Sequence, residues 1–175
     1  FADDTGLPRD QIFVGETTSI TTTPEQRELH WARSGYTEMA REKRIRLIDP
    51  ADYGNVRITP GRTHQIHNIG ISRWAVADEV FYVNLPKLKT HNLGVVTLCG
   101  KNQQGIMIPV HERHLCSDAW NATFGSESKR GRDWMRVEDH EAWQRTIAHM
   151  HWDVYLACQP DFNVVEGVMG RDGNA

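Results

Sequence analysis

Apolar and polar positions along the chain alternate in blocks that predict strands and helices in turn. Strands are predicted at short apolar or alternating runs, which lie at residues 11–15, 44–49, 56–59, 80–85 and 163–165. The run at 80–85 (VFYVNL) is almost continuously apolar and ends at Pro86, which is typical of a strand buried on both faces of a parallel sheet. A glycine-rich loop is predicted from residue 167 to residue 175.

Helices are predicted between these strands from capping residues and from apolar spacing. Thr23 is suited to cap a helix, because Pro24 follows at the first helical position and Gln26 can complete a capping box. This helix should end at Gly35, a second one should occupy residues 36–43, and a short turn or helix is expected at 73–78. A long helix at 138–159 is indicated by apolar residues at helical spacing, namely Trp143, Ile147, Met150, Val154 and Ala157.

Strands that alternate with helices predict an α/β fold, in which a layered, largely parallel sheet carries flanking helices. The 175 residues are enough for one domain with its own core, so we expect a single α/β domain over residues 1–175. Ligands of such folds bind in the loops at the carboxyl ends of the strands. The loop after the strand at 80–85 is therefore the first candidate for a binding site.

A basic segment follows that strand. Lys87, Lys89 and His91 come at alternate positions, and side chains at alternate positions of an extended chain point to the same side. Two ammonium groups and an imidazole would then line one edge of a cleft, where their mutual repulsion favours an anionic occupant. Lysines are most often solvated surface residues, and this alternative stays open.

Further polar residues can complete such a site. Ligand contacts are expected from the residues around the basic segment and from the glycine-rich loop, namely Thr90, Thr97, Lys101, Asn102, Gly105, Asp172, Gly173 and Asn174. Lys89, His91 and Glu166 are the candidate catalytic groups. Neighbouring Lys87 and Lys89 should lower the pKa of His91 and leave a neutral base near pH 7. Glu166 can instead take a proton, bind a metal or form an ion pair with a lysine.

The spacing of histidines and cysteines gives weaker candidates for a metal site. His111, His114 and Cys116 can supply ligands for zinc, nickel or iron, although ordinary surface histidines fit the spacing as well. His149 and His151 fall two positions apart in the predicted long helix and should not face each other. No Cys-x-x-Cys occurs, so this chain has no motif for an iron–sulfur cluster, and a metal or cluster would reside on a partner or on another segment.

Charge and composition narrow the range of partners. The net charge is -3 and no basic stripe with interleaved aromatic residues occurs, which argues against nucleic acid. No apolar run is long enough to span a bilayer, so no membrane insertion is expected. The three cysteines fit reduced thiols and favour the cytoplasm, while a processed secreted chain stays an open alternative.

Two motifs resemble the signature of a known family. PKLKTH at 86–91 with GVVTLCGKNQQGI at 94–106, and PDFNVVEGVMGRDGN at 160–174, are similar to the two motifs of the DUF362 family, whose second motif often has Asp where this chain has Glu166. The resemblance implies a redox or iron–sulfur context, although nothing here matches the ferredoxin-like cysteine module of many relatives. It also implies further strands beyond both ends, so we expect a chain truncated at both ends.

These observations leave two functions open. The first is an enzyme such as an oxidoreductase, which binds an anionic substrate or cofactor at Lys87, Lys89 and Lys101 and uses His91 for acid–base chemistry. The second is a non-catalytic module that holds an anion, metal or cofactor for a redox partner protein.

Overall fold

The structure is a computed structural model that describes residues 6–17, 23–58, 69–91, 95–109, 112–113 and 137–171. Helices and strands alternate along these residues, as the sequence predicts. The described strands form three two-stranded sheets and one three-stranded sheet, some of them parallel, and none of these sheets closes into a barrel. The fold is therefore a mixture of helices and small sheets.

The first two helices begin and end where their sequences predict. Helix α1 spans Pro24–Arg33, and helix α2 spans Tyr36–Lys43. The backbone N–H of Gln26 donates to the Thr23 hydroxyl at 3.3 Å, and the Thr23 N–H donates to the Gln26 side chain at 3.0 Å, so the predicted capping box is confirmed. Gly35 joins the helices with a φ of 79°, a left-handed conformation that favours glycine.

Two small sheets flank these helices in the sequence. Strand β1 (Phe13–Gly15) pairs in parallel with β2 (Arg46–Ile48), and both were predicted. Strand β3 (Asn55–Ile58) pairs in antiparallel fashion with β4 (Ile69–Ser72). Strand β4 was not predicted, and it is buried at every position.

A longer parallel ladder joins two distant segments. Strand β5 (Val83–Asn84) pairs with β8 (Phe162–Asn163), and β6 (Lys87–His91) pairs with β9 (Glu166–Arg171). Strand β7 (Val95–Thr97) adds to the other edge of β6 in antiparallel orientation. Between these pairs, backbone hydrogen bonds continue from Val164 N–H to the Asn84 carbonyl (3.0 Å) and from Glu166 N–H to the Pro86 carbonyl (2.9 Å).

Two predictions about this ladder are wrong. The strand at 80–85 is shorter than predicted and is not buried on both faces, since Phe81 is 65% exposed and Leu85 is 63% exposed. The predicted glycine-rich loop begins as a strand, because residues 166–171 pair with β6 through the parallel ladder. Its last residues, 172–175, lie outside the described part of the chain.

The core forms where the long helix packs on strand β4. Helix α4 spans Val137–Ala157, close to the predicted 138–159. Its residues Ile147, Met150 and Val154 are buried with Ile69 and Ile71 of β4. Short helix α3 (Cys99–Asn102) leads into a 3₁₀ turn (Gln103–Ile106) that packs against α4, and further 3₁₀ turns lie at Arg9–Gln11, Pro50–Tyr53 and Arg73–Val76. This packing sets α4 beside the basic segment.

Candidate functional site

Strand β6 carries the basic segment, which is extended, and this is the condition under which its alternate basic side chains point to one side. Lys87 and Lys89 are exposed, and His91 is partly buried. In the antiparallel pair with β7, Lys89 lies opposite Thr97 and His91 lies opposite Val95. The parallel pairing with β9 is irregular between Lys87 and Lys89, so the two lysines differ in their local geometry.

Lys87 and Glu166 form an ion pair across the parallel ladder. The Lys87 ammonium lies 3.3 Å from a carboxylate oxygen of Glu166, and both side chains are about half exposed. The same carboxylate accepts a hydrogen bond from the Val168 N–H at 2.9 Å. Glu166 is therefore engaged with a lysine, which is one of the three roles that the sequence left open. Among the residues that the structure describes, no carboxylate forms such a pair with Lys89.

His91 is a neutral imidazole at neutral pH. Partial burial is the largest cause that lowers its pKa, and the positive charges of Lys101 and Lys89 lower the pKa further. The direction of this shift agrees with the sequence prediction, but the cause differs. Burial contributes most, and the lysines that act on His91 are Lys101 and Lys89, where the sequence pointed to Lys87 and Lys89.

His151 of helix α4 reaches the same site. Burial lowers the pKa of His151 to about 4, and repulsion from Lys101 and, once it is protonated, from His91 adds to the shift. The Nε2 atom of His151 is buried, and within the described residues no hydrogen-bond partner lies in reach of it. Two imidazoles and one ammonium group from three different elements therefore act on one another.

Sequence analysis missed His151 because it weighed the residue only as a partner of His149. The helical spacing contains the missing signal: His151 follows Ile147 by four residues and precedes Val154 by three, so it shares their buried face. A Cβ atom built on Gly100 would lie 3.8 Å from the Cβ of His151. Helix α3 thus approaches helix α4 closely at the position next to Lys101.

A chain of hydrogen bonds connects Lys101 to the end of strand β1. The Lys101 ammonium donates to the side-chain oxygen of Gln104 at 2.9 Å, and the Gln104 amide donates to the Arg113 carbonyl at 2.6 Å. The Arg113 guanidinium donates to the Thr17 hydroxyl at 2.7 Å and to the Gly105 carbonyl at 2.6 Å. The Thr17 hydroxyl also donates to the Gly105 carbonyl at 3.0 Å. Lys101 and Gly105, which the sequence predicts as ligand contacts, both take part in this series of hydrogen bonds.

The remaining predicted ligand residues differ in their surroundings. The Asn102 amide donates to the side-chain oxygen of Asn84 at 2.7 Å, so Asn102 serves the scaffold. Thr97 is 5% exposed, and its buried hydroxyl has no hydrogen-bond partner in the described part of the chain. Thr90 is exposed on β6. It alternates with Lys89 and His91, and its side chain therefore points to the other side of the strand.

Glu16 was not predicted as a site residue, and it belongs to the surroundings of Lys89. It follows β1 directly, and burial raises the pKa of its carboxyl group above the usual range. Electrostatic interactions with His30, Arg113 and Lys89 oppose this shift only in part. A carboxylate immediately after the glycine that ends a predicted strand is a signal that sequence reasoning could have used.

Several predicted residues lie outside the described part of the chain, namely Asp172, Gly173, Asn174, His111, His114 and Cys116. Cys99 and Cys158 are free thiols. Over the described ranges, no group of three or more histidine, cysteine or acidic side chains is arranged to hold a metal ion. No helix in those ranges combines the length and the apolar character that crossing a membrane requires.

Comparison with known proteins gives one match. The sequence profile of the family described as "Domain of unknown function (DUF362)" matches residues 4–175. No curated protein and no solved structure matches the chain.

Proposed function

Because the chain belongs to the DUF362 family, whose description assigns no activity, we propose from its side chains that it binds an anionic small molecule or cofactor beside strand β6. The proposed site consists of Lys89, His91, Lys101 and His151, which we call the basic site. The observation that carries the proposal is that the charge of Lys101 acts on both His91 and His151. Residues from β6, α3 and α4 thus share one electrostatic environment.

The charge balance of the basic site favours an anion. Burial and repulsion from Lys101 lower the pKa of both His91 and His151, and Lys89 adds to the shift of His91. Both lysines act on His91, and positive charges that share one site raise the free energy of the folded chain unless an opposite charge joins them. A phosphate or carboxylate group would supply that charge and accept hydrogen bonds from the ammonium groups.

His91 provides the acid–base chemistry in this proposal, whereas His151, whose pKa is about 4, stays neutral near pH 7. A neutral imidazole near pH 7 can accept a proton, and a bound anion beside it would favour the protonated form. His91 is less buried than His151, so it is the candidate that touches the ligand. The family resemblance also implies a redox reaction and a redox partner protein, and both stay predictions. The layered, largely parallel sheet and the cytoplasmic location stay predictions as well.

Lys87 and Lys89 offer a matched pair of variants that tests the proposal. Both are exposed lysines of β6, but Lys87 forms an ion pair with Glu166 and Lys89 does not. Binding of inorganic phosphate and pyrophosphate at low salt would be measured by titration calorimetry. We expect Lys89→Ala to weaken binding about tenfold through the loss of one charge-assisted hydrogen bond, and Lys87→Ala to change it less than about twofold.

Two results would contradict the proposal. In one, neither anion binds the wild-type chain, even at low ionic strength, where screening is weakest. In the other, both lysine variants weaken binding equally, which would indicate general attraction to a basic surface. A His91→Gln variant adds a further check, since it keeps a hydrogen-bonding side chain but removes the proton acceptor.

A further inference from the structure

The carboxyl group of Glu16 is a second candidate contact for a ligand. We infer that Glu16 receives a hydrogen bond from a hydroxyl or ammonium group of the same molecule whose anionic group lies at Lys89. This inference rests on the proposed function, because it assigns a second contact to the same ligand. The ligand would be a small molecule that carries both a phosphate or carboxylate and a hydrogen-bond donor.

The backbone fixes the position of Glu16. It stands at the carboxyl end of β1, and its N–H donates to the Ile48 carbonyl of the neighbouring parallel strand at 3.1 Å. The next residue, Thr17, donates from its hydroxyl to the Gly105 carbonyl at 3.0 Å. The end of β1 is thereby held against the 3₁₀ turn that follows α3. Lys101 lies on α3 itself.

Hydrogen bonds from side chains make this arrangement rigid. They run from Lys101 to Gln104, from Gln104 to Arg113 and from Arg113 to Thr17, with lengths between 2.6 and 2.9 Å. Each of these residues forms a hydrogen bond with the next residue in the network. Glu16 adjoins the last of them, so it is connected to the basic site through a short and continuous network.

The surroundings of Glu16 are charged, yet its carboxyl group makes no direct contact with a charge. Lys89, Arg113 and His30 act on it electrostatically. Within the part of the chain that the structure describes, however, no ion pair or hydrogen bond to its carboxyl oxygens occurs. Glu16 is partly buried, and a partly buried carboxyl group is stabilised by a hydrogen-bond donor. A ligand group that donates a hydrogen bond would provide one.

The neighbouring carboxylate Asp49 shows the contrast. It stands at the corresponding end of β2, where it accepts hydrogen bonds from the Ala51 N–H at 2.9 Å and from the Arg27 guanidinium at 3.2 Å. Asp49 therefore serves the fold by capping the 3₁₀ turn that follows it. Of the two carboxylates at the ends of β1 and β2, Glu16 is the one available to a ligand.

The test compares phosphate monoesters with and without a hydrogen-bond donor. Binding of ethyl phosphate, phosphoethanolamine and glycerol 3-phosphate to the full chain would be measured by titration calorimetry. We expect the wild type to bind one of the two donor-bearing phosphates about tenfold more tightly than ethyl phosphate, which corresponds to one hydrogen bond to a charged group. The preferred probe distinguishes an ammonium donor from a hydroxyl donor.

Variants of Glu16 assign the preference to its carboxyl group. Glu16→Ala should remove the preference and leave the binding of ethyl phosphate within about twofold of wild type, since that probe has no donor for Glu16. Glu16→Gln keeps the shape of the side chain and should reduce the preference for phosphoethanolamine even if the alanine variant does not fold. Glu28→Gln, on the exposed face of α1, is the matched control and should retain the wild-type preference.

The outcomes separate the two proposals. If ethyl phosphate binds but no preference exists, or if the preference survives in both Glu16 variants, the role of Glu16 is wrong while the anion site stands. If no phosphate binds the wild-type chain, both proposals fail. A preference that disappears with Glu16 and not with Glu28 supports both.

Discussion

The side-chain amide of Asn102 donates a hydrogen bond of 2.7 Å to the side-chain oxygen of Asn84. Asn84 is 1% exposed, and its own amide donates to the Cys99 carbonyl at 3.0 Å and to the Asn163 side chain at 2.9 Å. One buried amide therefore joins β5, α3 and β8. This junction fixes the scaffold from which β6 and Lys101 extend.

Asn84→Ala should destabilise the fold strongly. The change removes three hydrogen bonds at a buried position and leaves the Cys99 carbonyl and the Asn102 amide without their partner. We expect a loss of about 3 kcal/mol in the free energy of unfolding, measured by urea denaturation. Asn163→Ala removes only one of these bonds at an exposed residue and should cost about 1 kcal/mol. Equal losses would contradict the central role of Asn84.

Gly70→Ala should be among the least tolerated changes. A Cβ atom built on Gly70 would lie 1.9 Å from the Ile108 carbonyl oxygen, which is backbone and cannot move aside cheaply. We expect a loss of at least about 3 kcal/mol, or no folded protein, as judged by thermal unfolding and circular dichroism. Gly167→Ala is the matched control in another strand, because its Cβ would make an ordinary contact of 3.9 Å with Leu88. A stable Gly70→Ala variant would show that strand β4 packs differently.

The chain should lose stability in mild acid because of His151. Its pKa is about 4 in the folded chain, against an ordinary value of 6.5. Above about pH 6.5, His151 is neutral in both states and adds no pH dependence. Below this pH the unfolded chain takes up a proton that the folded chain excludes, so the free energy of unfolding falls until the pH reaches the folded pKa. Between about pH 7.5 and pH 5 this contribution is on the order of 2 kcal/mol.

A His151→Gln variant isolates this contribution. Its free energy of unfolding should depend less on pH over the same interval, while the carboxylates and His91 titrate as in the wild type. Urea denaturation at several pH values measures the difference between the two proteins. Parallel pH profiles for both would show that His151 is not buried beside Lys101 and His91.

Cys158 should react slowly with alkylating reagents. Its thiol is buried and donates to the Ala75 carbonyl at 2.8 Å. Burial, with a further contribution from Asp161, raises the pKa of the thiol to about 12. At about pH 8 we expect iodoacetamide to modify Cys158 at least tenfold more slowly than the partly exposed Cys99, as followed by peptide mass spectrometry. In denaturant the two rates should converge, and comparable rates in the folded chain would contradict the burial of Cys158.

Local rules predicted the elements with the clearest signals. The ends of α1 and α2 follow from Thr23, Gln26 and Gly35, whose effects depend on residues within one helical turn. Strand β4 was missed because its signal is four residues long, and its burial comes from packing against α4. The burial of the strand at 80–85 was overestimated. Apolar composition does not show which faces of a strand are covered by other parts of the fold.

The sequence by itself determined that the chain alternates strands and helices and that a basic segment follows a strand. Only the tertiary structure decided which charges act on one another. Lys87 pairs with Glu166, and Lys101 acts on His91 and His151. Glu166 lies far along the chain from Lys87, as His151 does from Lys101, and their interactions depend on how β9 and α4 pack. The ends of a helix follow from neighbours in sequence, whereas a pKa or an ion pair follows from neighbours in space.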